Sequence, residues 1–434
     1  MNVQVDVFQG STKGCHRRHV LLACTFFVLS NSLCLAQLTN GKHDWPQFLG
    51  PQRNGISQET GLLDRWPAGG PKEVWRVSGG VGMSGLAISR GRLVTLIQKD
   101  GEQQLVALDA LTGKTVWERP LAPEYQNGMG NGPRATPAIS GDLIFSYTGE
   151  GILTAVNFAS GKIVWTHNVV EELGGQVADY GMASSPLVVD NRVHVTVGAP
   201  NATVAAFDAT TGKLVWKSGE DPAGYSSPTL LNVGGRSQLV VYSGASVLGL
   251  SPDNGTLLWR HPYETNFDCN IVTPLAVKDQ VFVSSGENHG SVLLSLKSKG
   301  SKFEVGEVWK SQGPKSVLRN EWQTSILQDG FLYGFDNVGA AGPVTHLTCV
   351  NAATGERVWQ ELRFGKGNLI AADGKLFMTT MNGELVVAKI SSKGYEEIGR
   401  AEVLKQTRQA PALSIGLLYL RDNDEIICLD VRKP

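Results

Sequence analysis

Eight residues of this chain stand just ahead of short β-type segments: Arg134, Tyr180, Tyr225, Asp268, Asn270, Glu321, Trp322 and Arg408. Two guanidinium groups, two carboxylates and three aromatic rings gathered in one place would make a polar pocket with stacking surfaces. An arginine can fork onto a carboxylate, and Trp322 can stack on a quinone or a sugar. The same residues could instead plug an axis and bond the exposed inner edges of strands. Either outcome requires elements that bring distant positions to one ring.

Other chemistry is sparse. The sequence has no Gly-x-Ser-x-Gly elbow, no His-Glu-x-x-His and no phosphate-binding glycine loop. The histidines after the leader (His43, His167, His194, His261, His289, His346) are scattered. His194 falls on the polar side of an alternating strand and is expected to be solvated rather than to bind a metal. His289, in Gly286-Glu-Asn-His-Gly290, reads as a hairpin turn, although such a loop could bind something. No metal site is predicted.

The positioning elements come from a repeated phrase. Asp109-Ala-Leu-Thr-Gly113-Lys-Thr-Val-Trp117 returns at 157–165, 208–216, 251–259 and 351–359, with a weaker copy ending at Trp309. In each copy the Asp or Asn holds a turn, the Gly supplies positive φ, and a strand ends on Trp. Trp75, Trp117, Trp165, Trp216, Trp259, Trp309 and Trp359 lie 42 to 51 residues apart, the length of a four-stranded propeller blade. A tryptophan at one place in every unit is expected to wedge between units and to need a partner for its N–H.

A second segment, Asn191-Arg-Val-His-Val-Thr-Val-Gly198, alternates and predicts a half-buried strand. Eight such segments exist, several preceded by Ser/Thr-Pro pairs: Thr136-Pro137, Ser185-Pro186, Ser227-Pro228 and Thr273-Pro274. The last stops without a Trp strand, and an orphan, Lys72-Glu-Val-Trp75-Arg-Val77, sits at the other end. The expected fold is therefore all-β, an eight-bladed β-propeller closed by pairing of this N-terminal strand with the last blade. The residues before each inner strand would then ring the channel mouth.

Composition narrows the setting. The 434 residues carry 39 basic and 40 acidic side chains, with no basic run interleaved with aromatics, so nucleic acid is not an expected partner. Residues 1–36 read as a signal peptide: Lys13, Arg17 and Arg18, an apolar run from Val20 to Leu29, and Cys34-Leu-Ala36 before Gln37. The alternative is an uncleaved anchor; cleavage would leave no membrane span. Residues 37–71 read as an arm packed on the propeller, and 72–434 as the propeller. Cys269, Cys349 and Cys428 remain in the mature chain, an odd number that predicts no disulfide framework; the last two read as small packing residues.

The phrase Ala-x-Asp-x-x-Thr-Gly-Lys-x-x-Trp of residues 107–117 resembles the repeat of the pyrroloquinoline-quinone-like (PQQ-like) β-propellers, over residues 44–434. The stretches Trp45-Pro-Gln-Phe-Leu-Gly-Pro51 and Asn131-Gly-Pro-Arg-Ala-Thr-Pro137 look like a secreted bacterial subgroup common in planctomycetes. The fold is shared with quinoprotein alcohol and sugar dehydrogenases and with the propeller lipoprotein of the outer-membrane β-barrel assembly machinery, which is not an enzyme. The resemblance implies that the seven tryptophans dock blades rather than hold a cofactor. The dehydrogenases carry a Cys-Cys pair, calcium ligands and an Asp base. This sequence has no Cys-Cys, no Cys-x-x-Cys-His for a haem and no matching ligand motif. The leading expectation is an exported scaffold, periplasmic or secreted, that binds an envelope protein or small ligand without cofactor and without chemistry. The alternative is a PQQ-dependent alcohol or sugar dehydrogenase using calcium. A third is the sensor or assembly part of an envelope complex.

Overall fold

A computed structural model describes residues 41, 43–67, 69–339 and 344–434. The leader, with its expected cleavage after Ala36, lies outside the described residues. The described residues form eight four-stranded antiparallel sheets, at 87–123, 138–168, 187–218, 229–262, 275–312, 326–361, 367–402 and, for the eighth, 412–430 together with Lys72–Ser78. We number these blades 1 to 8. As expected, the first strand closes the ring: Lys72–Ser78 pairs with Glu425–Asp430, and Trp75 lies opposite Cys428. Cys349 and Cys428 are buried among apolar side chains.

The repeated phrase folds as its residue types require. Asp109 Oδ1 accepts from the N–H groups of Leu111 (3.1 Å) and Thr112 (2.9 Å) and from the Thr112 hydroxyl (2.8 Å). Asn157, Asp208 and Asn351 repeat this turn. Gly113, with φ of 70°, then lets the chain bend back. The glycine has a second job. A Cβ on Gly113 would lie 2.7 Å from the Trp75 ring, and Gly161, Gly212, Gly255 and Gly355 stand in the same relation to Trp117, Trp165, Trp216 and Trp309. Each indole thus fills the notch left by the glycine of the next blade. Its N–H reaches a carbonyl there: Trp75 to Ala110 (2.9 Å), Trp165 to Ala209 (2.9 Å), Trp309 to Ala352 (3.0 Å).

Trp259 departs from the rule, because blade 5 has no such turn. Its outer strands, Gly290–Lys299 and Lys302–Gln312, join in a plain hairpin. With no glycine notch ahead of it, Trp259 lies over Gly249 of its own sheet and donates to Gln238 Oε1 at 2.6 Å.

One strand expectation needs correction. Arg192–Ala199 is not half-buried: Val193 to Val197 are all enclosed. The second strand of a blade has a neighbouring blade on each face, so alternation here distinguishes two protein contacts rather than protein from water. His194 is accordingly fully buried and not solvated. Its ring lies 5.5 Å from that of Trp216, and Nδ1 is 3.3 Å from the Leu187 carbonyl oxygen.

Ahead of the first strand, the chain from 44 to 66 crosses one end of the ring. Trp45 exchanges 2.8 Å backbone bonds with Ile88 of blade 1, and the Pro46 carbonyl accepts from Ile139 of blade 2. Buried Arg53 donates to the carbonyls of Ser185 (3.0 Å) and Pro186 (2.9 Å) of blade 3. Gly55 and Ser57 bond Ala371 of blade 7, and Leu63 bonds Val431 after blade 8.

Candidate functional site

The inner strand of each blade is short, and the residue types before it explain how adjacent blades lock at the axis. The Ser or Thr of the Ser/Thr-Pro pair accepts a backbone N–H from the preceding blade. Gly85 donates to Thr136 Oγ1 (3.1 Å), Thr136 to Ser185 Oγ (2.9 Å) and Ser185 to Ser227 Oγ (2.9 Å). These latches ring a cavity of about 180 Å³ where the inner strands begin, and Phe48 of the arm reaches its lining.

Of the eight residues singled out from sequence, five line this cavity: Arg134, Tyr180, Tyr225, Trp322 and Arg408. The rings of Tyr180 and Tyr225 stack with centroids 5.6 Å apart. The Tyr225 hydroxyl accepts from the Tyr180 N–H at 3.3 Å, and burial pushes that phenol well above its ordinary range. Arg134 donates to the carbonyls of Tyr180, Gly132 and Gly130 and lies 4.6 Å over the Tyr125 ring. Burial lowers its pKa. Trp322 is flanked by cations, with Lys366 Nζ 4.9 Å and the Arg408 guanidinium carbon 5.1 Å from its ring centre. Arg408 itself donates to the Met129 carbonyl at 2.9 Å.

The other three do not reach the lining. Asn270 is fully buried and braces the loops: its amide donates to the carbonyls of Ser243 and Tyr263, and its oxygen accepts from Thr265 at 2.8 Å. Glu321 pairs with Lys366 at 2.7 Å and accepts from Asn337 at 2.6 Å. Burial raises its pKa against the pull of Lys366. Asp268 packs toward Gly244, and burial, then Asp179 and Glu264, raise its pKa.

Met83, Met129, Ile271 and Asn368 also line the cavity and were not anticipated. Neither was Phe48, whose segment has no periodicity to announce it. Thr136, Ser185 and Ser227 were visible as Ser/Thr-Pro pairs, but their hydroxyls were not read as part of the mouth. His289 sits in the turn after Gln280–Ser285, its N–H on the Gly286 carbonyl at 2.9 Å.

A family model described as outer membrane protein assembly factor BamB matches residues 101–361 and 343–433. The chain belongs to this family of PQQ-like propellers. BamB of Yersinia pestis is 22% identical over 289 residues, covering 66% of this chain and 71% of that protein. The quinoprotein alcohol dehydrogenase PedH of Pseudomonas putida is 26% identical over 147 residues, 29% of this chain but only 23% of the dehydrogenase. Among solved structures, quinohemoprotein alcohol dehydrogenase ADHIIG of Pseudomonas putida HK5 superposes with a TM-score of 0.57 at 11% identity, over 91% of this chain and 82% of that one. At that identity the likeness is one of fold.

The lining does not fit a quinone held with calcium. Calcium takes six to eight oxygen ligands, commonly with carboxylates among them, and no Asp or Glu lines the cavity. Among the described residues no three His, Cys, Asp or Glu side chains are grouped to hold a metal ion. Nor is any described helix long and apolar enough to cross a membrane.

Proposed function

We propose that this member of the BamB family is an exported binding scaffold of the cell envelope: a closed ring that offers its channel mouth and adjoining loops to an envelope protein or small ligand and performs no chemistry. The observation that carries this reading is the kind of titratable group lining the cavity. They are arginines and tyrosines. A guanidinium stays protonated in proteins, and burial moves Tyr180 and Tyr225 further above neutrality. A general base works best with a pKa near the operating pH, and none of these groups has one. The leader supports export, and the family match supports an assembly or docking role.

The test is a titration of the mature protein, from Gln37, with PQQ and calcium. It follows the quinone spectrum together with dye-linked alcohol and sugar oxidation, and is run beside affinity capture from envelope extracts. The expected result is no saturable quinone binding, no turnover, and recovery of a stoichiometric partner. Saturable binding with turnover would overturn the reading in favour of a quinoprotein dehydrogenase.

A further inference from the structure

The cavity at the channel mouth carries hydrogen-bond donors that the fold leaves unspent. Thr136, Ser185 and Ser227 each use an oxygen lone pair to accept the latch from the preceding blade. Their hydroxyl hydrogens find no acceptor among the described residues. A hydroxyl that has accepted one bond still has a proton to give. Three such protons therefore come from consecutive blades 2, 3 and 4 onto one lining. Across from them in the ring stands Arg408 of the loop before blade 8, bonded to one carbonyl and forming no ion pair among the described residues. Arg134 likewise donates to carbonyl oxygens and lies over the Tyr125 ring, with no carboxylate bonded to it among the described residues. The lining holds two cations and no carboxylate, so its field favours an anion.

Shape narrows the class. The walls are aromatic: the stacked Tyr180 and Tyr225, and Trp322. The volume is about 180 Å³, slightly more than the roughly 150 Å³ of an apolar cavity that takes up benzene. One six-membered ring with a short polar substituent matches that space. We infer that the cavity binds a small monocyclic aromatic carboxylate, of the size of benzoate or phenylacetate. Its carboxylate is held by Arg408 and the blade hydroxyls, and its ring lies against the tyrosines and Trp322. Charge-assisted bonds to the guanidinium supply the selection for the acid over its neutral analogues. The inference deepens the reading of the channel mouth as a binding surface and rests on it.

Calorimetric titration of the mature protein with phenylacetate and benzoate, beside phenylacetamide, benzamide and acetate, decides it. The expected result is saturable one-to-one binding of an aromatic acid, with its amide at least about tenfold weaker and acetate unbound. Arg408→Gln should lower affinity for the acid at least about tenfold and for the amide much less, and Arg408→Lys should restore part of the acid's affinity. Equal binding of acid and amide, binding of acetate as tight as that of phenylacetate, or no saturation by any aromatic acid up to about 10 mM would overturn the inference. Should the Gln variant fail to fold, the acid–amide comparison on the unaltered protein still decides. Failure here with a protein partner captured sinks only the ligand class; quinone turnover would sink the scaffold reading itself.

Discussion

Trp66, from the arm, lies against Gly399 in the outer strand of blade 7: a Cβ on Gly399 would fall 2.7 Å from Trp66 Cβ and 2.8 Å from Cγ. Gly399 stands where the other blades carry their tryptophan, since it pairs with Val387 just beyond a register shift, as Trp359 pairs with Cys349. The arm thus brings an indole to the one blade whose outer strand lacks it. The graft is imperfect, because Trp66 Nε1 is buried without a partner, whereas six of the seven repeat indoles donate to a carbonyl of the next blade.

Trp66→Ala should therefore behave as a core truncation, costing about 2–4 kcal/mol. Gly399→Ala should cost about 1–3 kcal/mol by overpacking against the same ring. The two losses should be less than additive, because Trp66→Ala removes the ring atoms at 2.8 and 3.0 Å from a methyl at 399 and leaves only the Cβ, in an arm segment with room to shift. Urea denaturation of both single variants and the double variant reads this directly. Full additivity would show that Trp66 and Gly399 do not act as a pair.

The glycine notch can be separated from glycine's backbone freedom. Gly212 and Gly374 have nearly equal φ, 72° and 70°. A Cβ at 212 would press the Trp165 ring at 2.7 Å, whereas one at 374 meets nothing within 4 Å. Both alanine substitutions pay for a left-handed backbone, roughly 1 kcal/mol. Gly212→Ala should cost a further ~1–3 kcal/mol. Equal melting temperatures for the two variants would refute the notch.

Two buried groups give the stability opposite dependences on pH. Burial raises the pKa of Glu59 from 4.5 to about 7, despite N–H bonds from Gly416 and Ile415, and leaves Oε1 without a partner. The folded chain holds that proton more tightly than the unfolded chain, so stability falls as pH rises from about 4.5 to 7. Burial lowers the pKa of His194 from 6.5 to about 4. There the unfolded chain binds the proton more readily, so stability falls as pH drops from 6.5 towards 4. Each contributes on the order of 3 kcal/mol across its window. The windows overlap, so the two slopes largely cancel in the unaltered protein; Glu59→Gln should leave stability rising with pH between about 4 and 6.5, and His194→Gln should leave it falling between about 4.5 and 7. Melting curves from pH 4 to 8 that show the same pH dependence in both variants would contradict the assignment.

The parts of this fold that repeat were legible and the parts that cross between repeats were not. Trp117 and Gly113 recur with their neighbours, so turn, strand and blade could be read from spacing alone. Gly399 breaks the phrase, and nothing near it announces that Trp66, far upstream, replaces the missing ring. His194 was misread because alternation reports two environments without saying that both are protein. Of the five mouth residues on the cavity, Arg134, Tyr225, Trp322 and Arg408 share a phase, four residues ahead of the inner strand, while Tyr180 stands seven ahead. Asn270 and Glu321 have nearly the same phase but turn into the wall, where loop carbonyls and Lys366 engage them. Phase along a loop does not fix direction as it does along a strand.

The ring is closed by one strand pairing, and beside it a single buried cation ties blade 8 to blade 1. Arg421 ends the second strand of blade 8, Leu417–Arg421, and is almost fully enclosed. Its guanidinium donates to the carbonyls of Gly80 (2.6 Å) and Leu96 (2.8 Å) and to Thr95 Oγ1 (2.8 Å). Burial lowers its pKa to about 10, which still leaves it charged at neutral pH. Among the described residues no carboxylate pairs with it directly, so the carbonyl dipoles around blade 1 compensate the charge. Arg421→Leu keeps most of the volume but strips those carbonyls of their donor, which should cost roughly 2–5 kcal/mol. Because the bonds cross the seam, the loss should be local before it is global. Hydrogen exchange should quicken first in Lys72–Ser78 and in the strands of blade 8, while the strands of blade 4 across the ring keep their protection. Uniform loss of protection around the ring would mean that the seam opens only with the whole propeller, and that the strand pairing rather than Arg421 holds it shut.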